Sequence, residues 1–142
     1  MTDLRLERDF NVPPERLFAA VSAQSDLLQW WGPEGMFVPE GDLDFTRTGP
    51  WFSVMLAKDG QRYKVSGQVT HVDAPKSVGF TWGWHDDQDR RGAESHVVFT
   101  VVPTASGSRL ILEHRELDDS EQSARHEGGW TSSLRKLITQ LS

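Results

Sequence analysis

Apolar and charged residues alternate at the start of the chain, which is typical of a half-buried β-strand. The pattern predicts a first strand over residues 4–12, ended by a pair of prolines. Pro14 is well placed to begin a helix, because its missing N–H would have no partner in the first turn. Two short helices are predicted next, over residues 15–21 and 25–31, the second capped by Ser25-Asp26.

From Met36 onward the pattern changes to short apolar runs separated by turn residues. An Asp59-Gly60 pair, which is favoured in tight hairpin turns, lies between two of these runs. Strands that follow one another directly along a chain usually pair in antiparallel fashion. We therefore expect an antiparallel sheet, with further strands over residues 51–57, 63–72, 78–84, 96–102 and 109–115.

The last part of the chain carries large side chains at helical spacing. The string Asp118-Asp119-Ser120-Glu121 is suited to a helix N-terminus, and a stripe with steps of three or four residues follows it. The stripe consists of His126, Trp130, Leu134, Leu137 and Leu141. Gly128-Gly129 lies inside this helix and costs about 1 kcal/mol per residue relative to alanine, so we expect close packing or a kink there. One long amphipathic helix can cover such a sheet only if the sheet curves around it.

Composition and charge narrow the function classes. The 142 residues suffice for a single domain, residues 1–142, and 21 acidic against 15 basic residues give a net charge of −6. An acidic chain is a poor partner for nucleic acid or for an anionic membrane surface, and no stretch approaches the roughly 20 apolar residues of a membrane span. The absence of cysteine excludes disulfides and thiolate chemistry. The N-terminal segment carries charged residues where a signal peptide needs an apolar run, so we expect a cytoplasmic protein. As to its oligomeric state, we expect either a monomer or a homodimer.

Short motifs along nearly the whole chain carry a family resemblance. The most specific are Trp30-Trp31-Gly32-Pro33 and Gly129-Trp130-x-x-x-Leu134-x-x-Leu137. Others are Phe10-x-x-Pro13-x-Glu15-x-Leu17-Phe18, Gly67-x-Val69-x-x-Val72-x-x-Pro75, Val78-x-Phe80-x-Trp82 and Leu110-x-Leu112-x-His114. Together they resemble the activator of heat-shock-protein-90 ATPase homologue family of the START-like (SRPBCC) superfamily. The resemblance implies an α+β helix-grip fold. In that fold a curved antiparallel sheet of about six or seven strands wraps a long C-terminal helix, two short helices follow the first strand, and an apolar cavity lies inside.

The tryptophan content is unusual, since six Trp and seven Phe accompany a single Tyr. In the implied fold, alternate strand residues face the helix stripe, and aromatic residues of the short helices close one end. Apolar walls with a few polar groups are typical of small-molecule sites. We therefore expect a small hydrophobic or aromatic ligand, and the candidate ligand-binding residues are Phe18, Trp30, Trp31, Phe80, Trp82, Trp84, Leu112, His114, His126, Trp130 and Leu134. The alternative is that these aromatic side chains fill the core. Trp30 and Trp31 are adjacent, so at most one is expected to point fully inward.

Three functions stay open. The first is ligand binding in the cavity, which the absence of a catalytic constellation favours. The second is a co-chaperone-like or other protein-interaction role, with a chaperone or other protein as partner, and it is implied by the resemblance alone. The third is a cyclase or hydratase reaction with His114 or His126 as general acid or base. No cofactor or metal is predicted, because the helix around His126 lacks the second histidine of a zinc helix.

The remaining polar motifs predict surface features. Asp86-Asp87-Gln88-Asp89-Arg90-Arg91 mixes both charges and is typical of a solvated hairpin tip. His71, His85 and His96 are scattered among strand edges and loops, where we expect them at the surface. The chain has no Gly-x-Ser-x-Gly elbow, so its sequence offers no support for serine hydrolase chemistry.

Overall fold

The computed structural model describes residues 2–117 and 120–141 of the chain. Strands and helices follow the predicted order in this part. The elements are β1 (Thr2–Phe10), α1 (Pro14–Ala20), α2 (Gln24–Trp30), β2 (Phe37–Asp42), β3 (Gly49–Leu56), β4 (Arg62–Asp73), β5 (Ser77–His85), β6 (Arg91–Pro103), β7 (Ser108–Leu117) and α3 (Ser120–Gln140). No helix in the described residues is long and apolar enough to cross a membrane.

The strands form one antiparallel sheet in the order β1-β7-β6-β5-β4-β3-β2. From β2 to β7 each strand pairs with the next strand along the chain, and β1 pairs with β7, so β1 and β2 are the two edge strands. The α+β helix-grip prediction is confirmed. Strand β2 was not predicted as an individual strand, because its residues are mostly exposed and it contains Pro39, so no alternating pattern marks it.

Helix α3 lies against the inner face of the sheet with the predicted stripe turned inward. Trp130, Leu134 and Leu137 are at least 95% buried, and His126 is 9% exposed. The predicted acidic helix start includes Asp118 and Asp119, which lie outside the described residues. A Cβ added at Gly129 would lie 3.8 Å from Pro33 Cγ, an ordinary contact, whereas one at Gly128 would meet nothing within 4 Å. Packing therefore does not require glycine at position 128.

The short helices differ from expectation in two respects. Helix α1 begins at Pro14 as predicted, but α2 begins at Gln24 with no side-chain cap, so the capping prediction for Ser25-Asp26 was wrong. The two adjacent tryptophans are both buried, which contradicts the expectation that only one points inward. The reason is that α2 ends at Trp30 and the backbone becomes extended at Trp31, so the two side chains leave in different directions. The Trp30 indole donates to Ala20 O at 2.8 Å, and the Trp31 indole donates to Ser53 Oγ at 3.0 Å.

Candidate functional site

A cleft of about 580 Å³ opens between α3 and the end of the sheet formed by β3, β4 and β5. Its apolar lining consists of Trp31, Gly32, Pro33, Met36, Met55, Trp82, Trp84, Gly129 and Trp130. Its polar lining consists of Gln61, Arg62, Tyr63, His85, Asp87, Arg125, His126 and Ser133. A second depression, of about 640 Å³, lies along the outer side of α3, and Ile138 is the one large apolar side chain among its described lining residues. Of these two depressions, the first combines an apolar wall with a polar mouth, as small-molecule sites do.

The cleft follows from two periodicities in the sequence. Trp82 and Trp84 are two residues apart on β5, so both side chains face α3. His126 and Trp130 are four residues apart on α3, so both face the sheet. Close ring contacts join the two elements, with the Trp82 and Trp130 centroids 5.3 Å apart and those of Trp82 and His126 5.8 Å apart.

Below the cleft, aromatic side chains fill the interior around Trp31. The Trp31 ring makes edge-to-face contacts with Phe45 at 5.7 Å, with Trp51 at 5.7 Å and with Trp130 at 5.8 Å between centroids. Such arrangements are favoured by the aromatic quadrupole and add about 0.5–1.5 kcal/mol per pair beyond the burial of area. Trp31 therefore separates a filled core from the open cleft above it.

His114 is held in one tautomer by its neighbours. The Trp130 indole N–H, which can only donate, donates a hydrogen bond to His114 Nδ1 at 3.1 Å. The ring proton must then sit on Nε2, which lies 2.7 Å from Ser95 Oγ. Burial, with a smaller contribution from the nearby His126, lowers the His114 pKa to about 3. The ring is neutral at neutral pH, and both of its nitrogens are already hydrogen bonded.

His126 occupies the wall of the cleft and contacts His114, with 4.5 Å between ring centroids. Its Nε2 accepts a hydrogen bond from the Trp84 indole at 3.4 Å, so the neutral ring carries its proton on Nδ1. Burial lowers its pKa to about 4. Each histidine is thus kept neutral by burial while an indole N–H holds its orientation.

The predicted site residues divide into two groups. Trp31, Trp82, Trp84, His126 and Trp130 line the cleft. The others lie outside its lining, in the buried core, and they are Phe18, Trp30, Phe80, Leu112, His114 and Leu134. Alternation along a strand shows which residues face inward, but it does not show where along the strand the filled core ends and the cleft begins. For this reason the sequence prediction grouped core and cleft residues together.

Sequence reasoning missed several residues of the cleft. Met55 and Tyr63 are cross-strand partners beside the predicted turn at Asp59-Gly60, and that turn was the available signal. Met36 follows the predicted end of α2 and had no such signal. His85 was expected at the surface, but its side chain is only 12% exposed at the end of β5. Among the described residues, no group of three His, Asp or Glu side chains is placed to bind a metal ion.

The architecture places the protein among helix-grip domains, and comparison with known proteins identifies the family. The sequence pattern described as activator of Hsp90 ATPase homolog 1-like protein matches residues 11–141. The crystal structure of the AHSA1 protein from Silicibacter pomeroyi is 71% identical with a TM-score of 0.96, and the match covers 99% of this chain and 97% of that chain. The chain therefore belongs to the activator of Hsp90 ATPase homolog 1-like family.

More distant structures share the fold. A protein from Chromobacterium violaceum has a TM-score of 0.87 at 22% identity, with 99% of this chain and 98% of that chain covered. One from Mycobacterium smegmatis has a TM-score of 0.80 at 22% identity, with 99% and 90% covered. No curated protein matches the chain.

Proposed function

We propose that this protein binds a small hydrophobic or aromatic molecule in the cleft between the sheet and α3. The observation that carries the proposal is the cleft wall, in which four indoles and two thioethers face one space of about 580 Å³. Indole faces stack well on planar ligands, and methionine adapts to irregular shapes. This wall supports a planar, apolar ligand body.

The polar mouth supports a ligand that is not purely hydrocarbon. Burying about 200 Å² of apolar surface contributes about 5 kcal/mol, which is close to the lower limit for the cost of association. Apolar contact alone would therefore give weak binding. Arg62, Tyr63, Asp87 and Arg125 at the mouth offer both hydrogen-bond donors and acceptors. A ligand with one polar end could bind with its apolar body inside and that end at the mouth.

The two adjacent glycines of α3 allow a matched test. Gly129 belongs to the cleft wall, whereas Gly128 is exposed and is not part of the lining. The experiment titrates N-phenyl-1-naphthylamine into the wild type, Gly129→Leu and Gly128→Leu, and follows probe emission, tryptophan emission and melting temperature. We expect saturable binding to the wild type and to Gly128→Leu, with affinity at least about tenfold weaker in Gly129→Leu, because the added side chain occupies the cleft.

Two results would contradict ligand binding in this cleft. One is the absence of saturable probe binding to the wild type. The other is equal binding by both leucine variants, which would place the probe elsewhere on the protein.

A protein partner is the second candidate function. It rests on the family description and on Phe37, which is 57% exposed on the edge strand β2. A pull-down with the purified protein against the Hsp90 homologue of the same host tests it, with Phe37→Ser as the comparison. Enrichment that the variant loses would support the partner, and no enrichment by the wild type would contradict it.

A further inference from the structure

A serine, a histidine and an aspartate form a hydrogen-bonded relay beside the mouth of the cleft. Ser66 Oγ lies 2.7 Å from His85 Nε2, and His85 Nδ1 lies 2.9 Å from Asp89 Oδ1. Ser66 is on β4, His85 ends β5, and Asp89 is in the turn before β6. Ser66 is partly buried. This order of atoms is the one that activates a serine nucleophile in unrelated hydrolase folds.

The sheet register places this relay on the outer face. Val65 is fully buried and pairs with Trp84, whose side chain lines the cleft. The next residue, Ser66, pairs with Gly83 and therefore points to the opposite face. The relay is thus separate from the tryptophan wall, although His85 also borders the mouth of the cleft.

The turn between β5 and β6 holds the aspartate against the histidine. Asp89 has a φ of 63°, a left-handed conformation that few residues other than glycine adopt. Its backbone N–H donates to Asp86 O at 2.9 Å, which closes the turn. The hydrogen bond from Lys64, at 3.0 Å, and that from His85 lower the pKa of the Asp89 carboxyl. The carboxylate is therefore ionised at neutral pH and keeps the neutral imidazole proton on Nδ1, which leaves Nε2 to accept the Ser66 hydroxyl proton.

A cation is fixed beside the serine. Arg91 Nε and Nη2 donate to the carbonyl oxygen of Ser66 at 3.2 and 2.9 Å. Gly83 makes room for this guanidinium, because a Cβ there would lie 2.5 Å from Arg91 Cζ. Arg91 Nη1 also pairs with Glu94 Oε2 at 3.0 Å. A guanidinium held next to a nucleophile can stabilise the negative charge that develops on an attacked carbonyl oxygen.

Other hydroxyl–imidazole pairs among the described residues lack a carboxylate on the second ring nitrogen. His71 Nε2 lies 3.2 Å from Ser77 Oγ, and His96 Nε2 lies 3.3 Å from Thr70 Oγ1. Among the described residues, neither of these rings has a carboxylate hydrogen bonded to its other nitrogen. The Ser77 pair therefore provides an internal control for the relay.

We propose that Ser66 is the nucleophile of an esterase site that acts on small activated esters, with His85 as general base and Asp89 as its positioning residue. Ser66 Oγ forms a bond to the acyl carbon while His85 Nε2 takes the hydroxyl proton. The carbon–alkoxy bond then breaks, and the leaving alcohol takes that proton from His85. Water repeats the sequence on the acyl-serine, which releases the carboxylic acid and restores the Ser66 hydroxyl. The proposal does not rest on ligand binding in the cleft, although His85 belongs both to the relay and to the cleft lining.

The test follows hydrolysis of p-nitrophenyl acetate by the full chain, Ser66→Ala, Asp89→Asn and Ser77→Ala, with intact-mass and peptide analysis of acetylated protein. We expect the wild type and Ser77→Ala to turn over alike and to carry one acetyl group on Ser66. Ser66→Ala should lose at least about a hundredfold in kcat. Asp89→Asn should lose about tenfold or more in kcat with little change in KM, because the imidazole loses its orientation.

Three outcomes would overturn the esterase site. They are a wild-type rate no higher than that of buffer, an acetyl group found on Lys64 or another side chain with Ser66 unlabelled, and a Ser66→Ala variant as active as the wild type. Asp89 is exposed, so Asp89→Asn should fold normally, and melting curves of all four proteins check this.

Discussion

The buried histidine pair predicts an acid-sensitive fold. His114 and His126 have pKa values of about 3 and about 4 in the folded protein, against an ordinary value of 6.5. Because burial lowers both values, the unfolded chain binds protons that the folded protein cannot bind. The stabilisation is fully present above pH 6.5 and is lost as the pH falls from there towards the folded-state values.

The size of the effect follows from the same values. Each pH unit below 6.5 costs about 1.4 kcal/mol per histidine, for as long as the folded ring stays neutral. At pH 5 each ring therefore costs the folded protein about 2 kcal/mol relative to pH 7.5, and the pair about 4 kcal/mol. A typical domain has a free energy of unfolding of about 5–15 kcal/mol, so the loss is readily measured. Carboxylates with lowered pKa values, such as Asp44, begin to destabilise the fold only when the pH falls to about their ordinary pKa of 3.8, which is below the range from pH 7.5 to pH 5.

Urea unfolding at pH 7.5 and pH 5 measures the difference. The wild type should lose about 4 kcal/mol and His126→Gln about 2 kcal/mol, because glutamine can accept the Trp84 indole hydrogen bond without titrating. His71→Gln is the control, since His71 is exposed on the outer face and its replacement leaves the buried pair intact. A free energy of unfolding that stays constant over this range would refute the reasoning. So would a His126→Gln variant with the full wild-type loss.

Further predictions concern packing and hydrogen bonds. Gly128→Ala should raise the free energy of unfolding by about 0.5–1 kcal/mol, because the added methyl group meets nothing within 4 Å, and a thermal melt with an unchanged or lower midpoint would contradict this. Gly67→Ala should unfold the protein or lower its midpoint strongly, because its Cβ would overlap the carbonyl oxygen of Thr81, and circular dichroism checks the outcome. Trp130→Phe should cost at least about 1–3 kcal/mol in urea unfolding, because it leaves the buried His114 Nδ1 without a donor; a smaller cost would mean that water reaches this nitrogen.

Much of the fold could be predicted from periodic patterns. The inward stripe of α3 repeats every three or four residues, and apolar and polar residues alternate along the inner strands. Both patterns can be recognised in a single sequence. Strand β2 could not be predicted, because Pro39 and its exposed neighbours carry no pattern. The inward turn of Trp31 depends on where α2 ends, a boundary that caps and breakers locate only within a few residues.

The candidate sites were less predictable than the fold. The cleft depends on the distance between α3 and the sheet, and that distance is set by how Trp31 and its aromatic neighbours pack. The relay of Ser66, His85 and Asp89 depends on a left-handed turn residue within a string that predicts only a solvated tip. Hydrophobic periodicity encodes neither the distance between helix and sheet nor the handedness of a turn, so neither could be predicted from the sequence.

The six tryptophans supply the most direct test of the central proposal, because each indole N–H gives its own signal in a ¹H–¹⁵N spectrum. Trp31, Trp82, Trp84 and Trp130 line the cleft, whereas Trp30 and Trp51 lie outside its lining. Titration with N-phenyl-1-naphthylamine should shift the signals of the first four residues and leave the other two nearly unchanged. Absent shifts at saturating probe, or shifts that are largest at Trp30 and Trp51, would contradict ligand binding in this cleft.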